Sequence, residues 1–446
     1  TDNYTQHFVQ GFFSHRFDNG LYWNNTLNFT KGDGYYENYK DDAKFSKYGL
    51  QPQNSISKSD LIIRQQMDNE YYVVTSALKY RSDLLDLSAG GTYSYYDGLH
   101  FGNVIWAMHN ENIPDNYQWY DNTGDKWEAG GFVKGEIDLS EWTLYADVQY
   151  RHIDLKMAGM DKDFASLDYQ RRYNFVNPKI GARYTPNEMN TIYLSAALGH
   201  KEPSRSDIKE SIKSLSGNSI RPEAMLDVEL GYKFNAENFA FSANLYMMEY
   251  KDQLVSTGKL SDVGYEIKEN VPNSYRRGVE LSAAWSPFKK FSLEGNITLS
   301  DNKIKNYTSW TDLYDEDWNL IGQVSQNWNK THLMMSPSVV GMAMATYNPW
   351  KTLKISVDGK YVGKQYYDNT SSQERSLPGY FLMGGNVSYD FKFVSLSLFL
   401  NNILNKEYIS NAWVYRAVFE NGDDYVEEGF FPQPGFNWML KATIRF

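Results

Sequence analysis

Hydrophobic and polar residues alternate along most of this chain. In residues 226–234 the apolar side chains stand at even positions, with Asp, Glu, Gly and Lys between them. The same alternation occurs in 279–286, 291–300 and 436–446. A period of two over this length predicts long β-strands with one apolar and one polar face. Because no long segment shows helical spacing, helix is expected to be minor.

The connections between the predicted strands are of two kinds. Asn, Asp, Gly and Pro predict tight turns near residues 18–20, 82–84, 139–141, 186–188, 235–238, 286–290, 348–351 and 390–392. Longer, polar, aromatic-rich connections cover about 31–59, 97–126, 155–170, 201–224, 251–273, 303–333, 366–378 and 407–435. Since the two kinds alternate, we expect all turns at one end of the sheet and all long loops at the other.

Two architectures produce strands with period two. A soluble sandwich or propeller turns the apolar face inward, whereas a membrane barrel turns it toward lipid and has short turns on one side and long loops on the other. The predicted strands, ~11–15 residues long, are long enough to cross a bilayer at a tilt. Aromatic residues flank the turns, as in an interfacial girdle: Trp142, Tyr184, Trp285, Phe288, Tyr347, Trp350 and Phe391. The pattern therefore favours an all-β, transmembrane antiparallel β-barrel.

The turns and loops together predict 17 strands. Single-chain bacterial barrels have even strand numbers, and an odd count places the two chain ends on opposite sides. We therefore expect that an N-terminal part with an odd number of strands exists in the physical protein. An intact mass of 51.7 kDa for the purified protein would contradict this expectation.

Composition narrows the class of protein further. The mean hydropathy is −0.60, and no run approaches the ~18 apolar residues of a spanning helix. The chain has 44 Lys and Arg against 55 Asp and Glu, a net charge of −11, which argues against a nucleic-acid partner. The absence of Cys excludes disulfides and Cys-ligated zinc.

No enzyme motif is found along the chain. Neither G-x-S-x-G nor H-E-x-x-H occurs, and no glycine loop suited to phosphate is present. His152 stands near Asp154, but no pattern places a Ser beside them. We expect no catalytic residues, no metal site and no cofactor.

Several segments of the sequence resemble TonB-dependent outer-membrane receptors. They are HKEPSRSD (200–207), IRPEAMLDVELGYKF (220–234), NSYRRGVELSAAW (273–285) and LNNILNKEY (400–408). The last strand, ending in Phe446, resembles the assembly signal of outer-membrane barrels. GDGYYENYK (32–40), LHFGNVIWA (99–107) and RRYNFVNPKIGARY (171–184) are similar to receptors from the Bacteroidetes.

The resemblance implies a 22-stranded barrel closed by an N-terminal plug, in the outer membrane of a Gram-negative cell. This chain shows neither a plug nor a TonB box. Residues 1–446 are thus expected to be the C-terminal portion of one barrel domain, beginning at the sixth strand. The implied function is import of a scarce solute, energised by TonB, ExbB and ExbD. The implied partners also include the protein's own plug, outer-membrane lipid and lipopolysaccharide.

Residues of the long loops are the candidates for substrate binding. Aromatic faces stack on catecholates, porphyrins, corrins or sugars, although loop packing is an equally good explanation for them. The candidates are Tyr35, Tyr36, Tyr39, His100, Trp106, His109, Trp119 and Tyr120.

Charge adds further candidates in two loops. Arg205 and Arg221, with Lys209 and Lys213, make the loop 201–224 basic and suited to an anionic chelate. The last loop is acidic instead, which weighs against a strongly anionic ligand or indicates divalent ions that bridge lipopolysaccharide: Glu420, Asp423, Asp424, Glu427 and Glu428.

Polar residues on the alternate strand positions are expected to face the lumen. They could dock the plug or line the path, or they could form an ordinary solvated wall. These residues are Asp147, Asp227, Glu229, Lys233, Glu280, Glu294 and Asp358.

The leading functional hypothesis is import of an iron–siderophore complex. Cobalamin or haem import is the nearest alternative, and the pair His100 and His109 suggests haem. A passive porin and a structural or adhesive barrel are alternatives from other classes. A surface lipoprotein stays open as a partner, although the loops are shorter than we expect for glycan importers.

Overall fold

The computed structural model describes residues 1–18, 20–52, 54–213, 220–260 and 266–445. Over these residues the fold is almost entirely β, with 22 strands, a 3₁₀ turn (Phe45–Tyr48) and one α-helix, α1 (Arg205–Lys213). The all-β prediction is therefore confirmed. None of the described helical segments has the length and apolar character needed to cross a bilayer.

The chain divides into two compact units. The first comprises Thr1–Asp138, Tyr145–Pro178 and Ser204–Ser214. Its strands β1 to β5 pair in sequence order, each antiparallel to the next, and parts of β6 and β7 also belong to it. The bounds of these strands are β1 (Asp2–Arg16), β2 (Leu21–Lys44), β3 (Lys58–Arg81), β4 (Leu85–Ala107), β5 (Tyr117–Leu139), β6 (Trp142–Gly159) and β7 (Tyr169–Asn187).

The second unit comprises Leu139–Leu144, Lys179–Pro203 and Leu215–Phe446. Its strands are β8 (Asn190–Lys201), β9 (Glu223–Asn235), β10 (Phe239–Leu260), β11 (Glu266–Phe288), β12 (Phe291–Tyr314), β13 (Leu320–His332), β14 (Val339–Trp350), β15 (Leu353–Val362), β16 (Gln365–Tyr366), β17 (Ser376–Leu377), β18 (Tyr380–Asp390), β19 (Val394–Asn401), β20 (Ile409–Phe419), β21 (Asp424–Pro432) and β22 (Asn437–Ile444).

Antiparallel neighbours follow chain order in the second unit as well. From the end of β7 the ladder runs through β8, β9, β10, β11, β12, β14, β15, β18, β19 and β22. The strands β13, β16, β17, β20 and β21 lie within the long connections, where β16 pairs with β17 and β20 with β21. Setting these five aside, seventeen of the described strands remain, as the turn-and-loop pattern predicts.

The predicted strand lengths were too short. Strands β2, β3 and β12 have 24 residues each, so much of the stretches assigned to loops at 31–59, 97–126 and 303–333 is strand. The β2–β3 ladder continues as far as the pair Lys44 and Lys58. In this outer part the backbone N–H and C=O groups of the two strands still bond to each other, as they do in the apolar part.

An exposed apolar stripe covers one face of each long strand, beside the tight turn. On β3 it runs from Tyr80 through Leu78 and Val74 to Tyr72, and all four side chains are exposed. On the same face the next residue is Glu70. Soluble proteins rarely expose a stripe of this kind, and aromatic rings at both of its ends mark the two membrane interfaces. We take this stripe as the membrane-spanning part of the strand.

Buried apolar clusters lie beyond the stripes, in the long connections. One of them, in the first unit, joins the 3₁₀ turn to the far ends of β3, β4 and β5, and includes Phe45, Leu61, Ile63, Val104 and Trp119. A second cluster, in the other unit, includes Val255, Ile304 and Leu333. The long connections are therefore packed structures, and they hold their inward-facing polar residues in fixed positions.

Candidate ligand-binding site

A row of paired residues crosses four neighbouring strands of the first unit. Tyr36 on β2 pairs with Gln65, Gln65 with Gly102, and Gly102 with Tyr120 on β5. Because side chains alternate between the two faces of a sheet, this row lies on the face opposite to Tyr72. Residues separated by up to 84 positions in sequence are thereby aligned on the polar face.

The next row toward the tight turns adds three side chains to the same face. Met67 pairs with His100, and His100 pairs with Asn122. Tyr96 lies on the same strand, β4, four residues from His100, and therefore on the same face. Tyr36, Tyr96, His100, Tyr120 and Asn122, with Arg205 of α1, are called the tyrosine–arginine cluster below.

Glycines make room for the aromatic rings of this cluster. A Cβ atom at Gly102 would overlap the Tyr120 ring and lie 2.5 Å from Cη2 of Trp119. A Cβ atom at Gly98 would lie 2.8 Å from Cε1 of Tyr96. The two glycines therefore let tyrosine rings lie flat against the strands.

Helix α1 brings the positive charges to the site. It starts after Ser204, whose Oγ accepts a hydrogen bond of 3.1 Å from the N–H of Asp207 and caps the first turn. The Arg205 guanidinium donates to Oδ1 of Asn122. Its buried Nε has no hydrogen-bond partner among the described residues. One donor of Arg205 is thus left for another acceptor.

A buried ion-pair network holds α1 in place. The Nζ of Lys209 lies 2.9 Å from Oδ1 of Asp161, and the Nζ of Lys213 lies 2.8 Å from Oδ2 of the same carboxylate. Lys213 also lies 2.6 Å from Oδ2 of Asp163. Lys209 and Lys213, which make the loop 201–224 basic in sequence, are therefore largely neutralised by carboxylates. Arg205 is left as the cation of the site.

The pKa shifts of this network have opposing causes. Burial of Asp161 disfavours its charged form, but hydrogen bonds from Lys209 and Lys213 outweigh burial and hold its pKa at about 2. Burial lowers the pKa of Lys209, despite its bond to Asp161. For Lys213 the two carboxylates outweigh burial and raise the pKa. Asp161 is therefore ionised at neutral pH.

The other groups of the cluster are neutral and offer hydrogen bonds. His100 lies on β4 beyond the apolar stripe, and burial, followed by the charges of Arg205 and Lys209, lowers its pKa to about 4. Burial raises the pKa of Tyr120, so its phenol stays protonated. A guanidinium surrounded by phenols and a neutral imidazole suits an anionic, oxygen-rich and aromatic ligand.

Some of the predicted aromatic residues lie elsewhere in the first unit. Tyr35 faces away from the cluster, with Cζ of Arg64 4.3 Å from its ring centre. Tyr39 is exposed and its hydroxyl contacts Asp60, and Trp106 is exposed near the end of β4. The structure does not bring these three residues into the cluster.

Trp119 occupies a different environment from the other candidates. It is 6% exposed and packs edge-on against Tyr48, with the ring centres 5.3 Å apart. Its ring is covered by protein atoms and cannot stack on a ligand in this arrangement. We therefore leave Trp119 out of the proposed binding set.

The two histidines that suggested haem do not share a site. His100 belongs to the cluster, whereas the backbone N–H of His109 donates to Ser59 beyond the end of β4. The strand from His100 to Ala107 alone spans about 23 Å. The two side chains therefore lie too far apart to coordinate one iron ion. The described residues contain no group of three or more His, Asp and Glu side chains arranged for a metal.

Arg221, the other predicted cation, belongs to the second unit. Its guanidinium lies 2.8 Å from Oδ1 of Asp252, and its backbone N–H donates to Asn270. This arginine is exposed and already paired, so nothing in its surroundings indicates a ligand.

The predicted lumen-facing residues lie on the polar faces of their strands. In the second unit Glu294 pairs with Met344, and Met344 pairs with Asp358. Of the other candidates on these strands, Asp227 pairs with Ala197, Glu229 with Ser195, Lys233 with Thr191 and Glu280 with Thr298. The seventh, Asp147, lies on β6 and has a buried Oδ1 without a described hydrogen-bond partner, as does Asp227. Phe446 lies outside the described residues.

Sequence reasoning missed two members of the cluster, Tyr96 and Asn122, and also Gln65, which lies in the same row as Tyr36. Gln65, Tyr96 and Asn122 carry no motif, and only the pairing register of β3, β4 and β5 brings them beside Tyr36 and Arg205. The glycines at 98 and 102 are a usable signal, because glycine inside a strand often marks a close approach.

Exposed apolar stripes, polar opposite faces and one-sided long connections define a class of protein, the strand-built transporters and receptors of outer membranes. The chain belongs to the TonB dependent receptor-like β-barrel family, whose model matches residues 1–403. This family consists of receptors and transporters rather than enzymes, and it resides in the outer membrane. The prediction of a TonB-dependent receptor barrel is confirmed.

Solved structures share the fold at low sequence identity. The chain is similar to the ferric-catecholate import receptor Fiu from E. coli K12 (TM-score 0.66, 14% identity), covering 100% of this chain and 64% of that one. It is similar to the copper transporter OprC (TM-score 0.73, 14% identity, 100% and 65%). It is also similar to the ferric yersiniabactin uptake receptor FyuA from Yersinia pestis (TM-score 0.65, 14% identity, 99% and 61%). The chain spans under two thirds of each of these proteins.

Proposed function

We propose that this chain forms the barrel part of an outer-membrane transporter that imports a ferric chelate of the siderophore type. TonB, ExbB and ExbD energise this transport through a plug that closes the barrel, and residues 1–446 belong to one barrel domain. The observation that carries the proposal is Arg205, whose buried Nε has no described partner and which lies among protonated phenols.

The chemistry of the cluster favours a ferric chelate over the alternatives. Catecholate and carboxylate chelates present anionic oxygens to a guanidinium and aromatic faces to tyrosine rings. Several solved structures of this fold carry names of the same kind, including the ferric-catecholate import receptor and the ferric citrate transporter FecA. The separated positions of His100 and His109 do not support haem import.

Growth of a deletion strain tests this function. The strain lacks the whole receptor gene and is grown with a ferric siderophore, haem or cobalamin as the single source of the limiting nutrient. We expect a growth defect on one or more ferric chelates that the wild-type gene restores, and normal growth on haem and cobalamin. An unchanged profile on all three sources would count against import.

A further inference from the structure

A basic patch lies directly beyond the apolar stripe of the second unit. On β11 the apolar face runs from the exposed Trp285 through the half-buried Leu281 and Val279, and the next residues on the same face are Arg277 and Tyr275. On β12 Leu299 ends the stripe. The following residues on that face are Asp301, Lys303 and Lys305.

Three cations surround one tyrosine ring in this patch. The ring centre of Tyr275 lies 4.4 Å from Cζ of Arg277, 5.1 Å from Nζ of Lys305 and 5.2 Å from Nζ of Lys330. Tyr275 is only 3% exposed as a result. Attraction to the ring face stabilises each cation, but cations held so close together also repel one another.

The carboxylates of the patch do not balance its cations. Glu249 contacts Arg277 and lies 3.5 Å from Lys305. Asp301 lies 3.3 Å from Lys303 and accepts a hydrogen bond of 2.9 Å from the Tyr275 hydroxyl. Lys330 has no ion pair in the described part of the chain. Four cations thus face two carboxylates, in a chain whose net charge is −11.

The depth of the patch matches the lipid headgroup region. Eight residues separate Trp285 from Arg277, about 26 Å along a strand. A tilt of about 40° reduces this to about 20 Å along the membrane normal, which is comparable to the apolar band of an outer-membrane barrel. Since the long connections lie on this side, the patch meets the outer leaflet.

From these observations we infer that the basic patch of Arg277, Lys303, Lys305 and Lys330 binds the phosphate of an outer-leaflet lipid headgroup. A phosphate supplies the missing negative charge, and its oxygens accept hydrogen bonds from the exposed lysine Lys330 and from Arg277. The aromatic ring of Tyr275 holds the cations in position for this ligand.

The first unit offers a matched control. Lys31 is likewise the first charged residue beyond the apolar stripe of its strand, after Phe29, and is also bound by carboxylates on the neighbouring strand. Its Nζ contacts Asp68 and lies 3.3 Å from Glu70. Here two carboxylates surround one cation, so this position should not attract a phosphate.

Native mass spectrometry of the whole receptor in detergent, titrated with diphosphoryl lipid A and with its dephosphorylated form, tests the inference. We expect the wild-type protein to bind the phosphorylated lipid, and the double variant Lys305→Gln, Lys330→Gln to bind it about tenfold more weakly or worse. The double variant Lys305→Arg, Lys330→Arg should bind like wild type, since charge is kept. Lys31→Gln should also bind like wild type.

Heat-modifiable migration on gels shows that each variant is folded. Should the Gln variant fail to fold, the Arg variant and the dephosphorylated lipid still decide the outcome. Equal binding of both lipid forms by the wild-type protein would overturn the inference, as would unchanged affinity in a folded Gln variant.

Discussion

The ammonium group of Lys209 lies 2.9 Å from the carboxylate of Asp161, and the side chain of Asp161 is 3% exposed. This contact joins α1 to the connection that follows β6, and Lys213 reinforces it. Since α1 begins at Arg205, the ion pair also fixes the position of the guanidinium at the tyrosine–arginine cluster. The order of α1 and the ligand affinity should therefore depend on the same carboxylate.

Replacement of Asp161 by Asn should release α1. Removing one partner of a buried ion pair costs about 3–5 kcal/mol because the remaining charges are left buried. Hydrogen–deuterium exchange of residues 205–213 should become faster in the folded variant. Asp163→Asn is the control, because the Asp163 side chain is 45% exposed, pairs with Lys213 and otherwise accepts a long hydrogen bond of 3.4 Å from the N–H of Ala165. Equal protection of the helix in D161N and D163N would contradict this role.

The docking of α1 should be insensitive to pH until the medium is strongly acidic. The pKa of Asp161 is about 2 in the folded protein, below its ordinary value of 3.8. A carboxyl group whose pKa is lower in the folded than in the unfolded protein stabilises the fold above pH 3.8. This contribution to the free energy of unfolding is lost as the pH falls through 2. Protection of α1, corrected for intrinsic exchange, should stay constant from pH 7 to pH 5 and decline below about pH 4. D161N should lack this acid-dependent loss.

Arg205→Gln should weaken binding of a ferric chelate by the purified receptor. A hydrogen bond to a charged group contributes about 1.5–3 kcal/mol, so we expect about a 10- to 100-fold rise in Kd. Quenching of tryptophan fluorescence by the ferric complex measures this affinity. The exposed and already paired Arg221 supplies the control, since Arg221→Gln should leave Kd unchanged. A ligand held equally well by R205Q would remove Arg205 from the site.

Gly102→Ala should disturb the site through packing alone. The added Cβ would overlap the Tyr120 ring and crowd Trp119, and overpacking of this kind costs about 1–3 kcal/mol. Both the thermal unfolding temperature and the ligand affinity should fall. Gly131→Ala on the same strand as Tyr120 is the matched control, because its Cβ would have only an ordinary contact, 3.8 Å from the carbonyl oxygen of Gly90. Similar stability of the two alanine variants would show that the Tyr120 ring can move without cost.

The sequence was a good guide to the fold because the membrane imposes a simple pattern on each strand. One face must be apolar, and the tight turns need Gly, Asn, Asp and Pro, so period and turn positions together predict seventeen strands. The loop-side strand ends were not predictable in this way. Beyond Phe29 on β2 both faces are polar, and pairing with the neighbouring strands β1 and β3 keeps the chain extended.

The site was predictable in residue type but not in arrangement. Tyr36, His100, Tyr120 and Arg205 were chosen for their chemistry, and the strand register and α1 bring them together. Asn122, the hydrogen-bond partner of Arg205, has no distinguishing sequence feature. The charge of the loop 201–224 was misleading, because Asp161 belongs to a different connection and neutralises Lys209.

The most direct test of the proposed function is uptake of a radiolabelled ferric catecholate by cells that carry the whole receptor as their only route for it. The account predicts uptake by the wild-type receptor that stops when a protonophore dissipates the proton gradient. It also predicts uptake at least about tenfold slower with R205Q at equal surface abundance, at chelate concentrations below Kd. Uptake that persists without the gradient, or that is equal in the wild type and R205Q, would contradict the account.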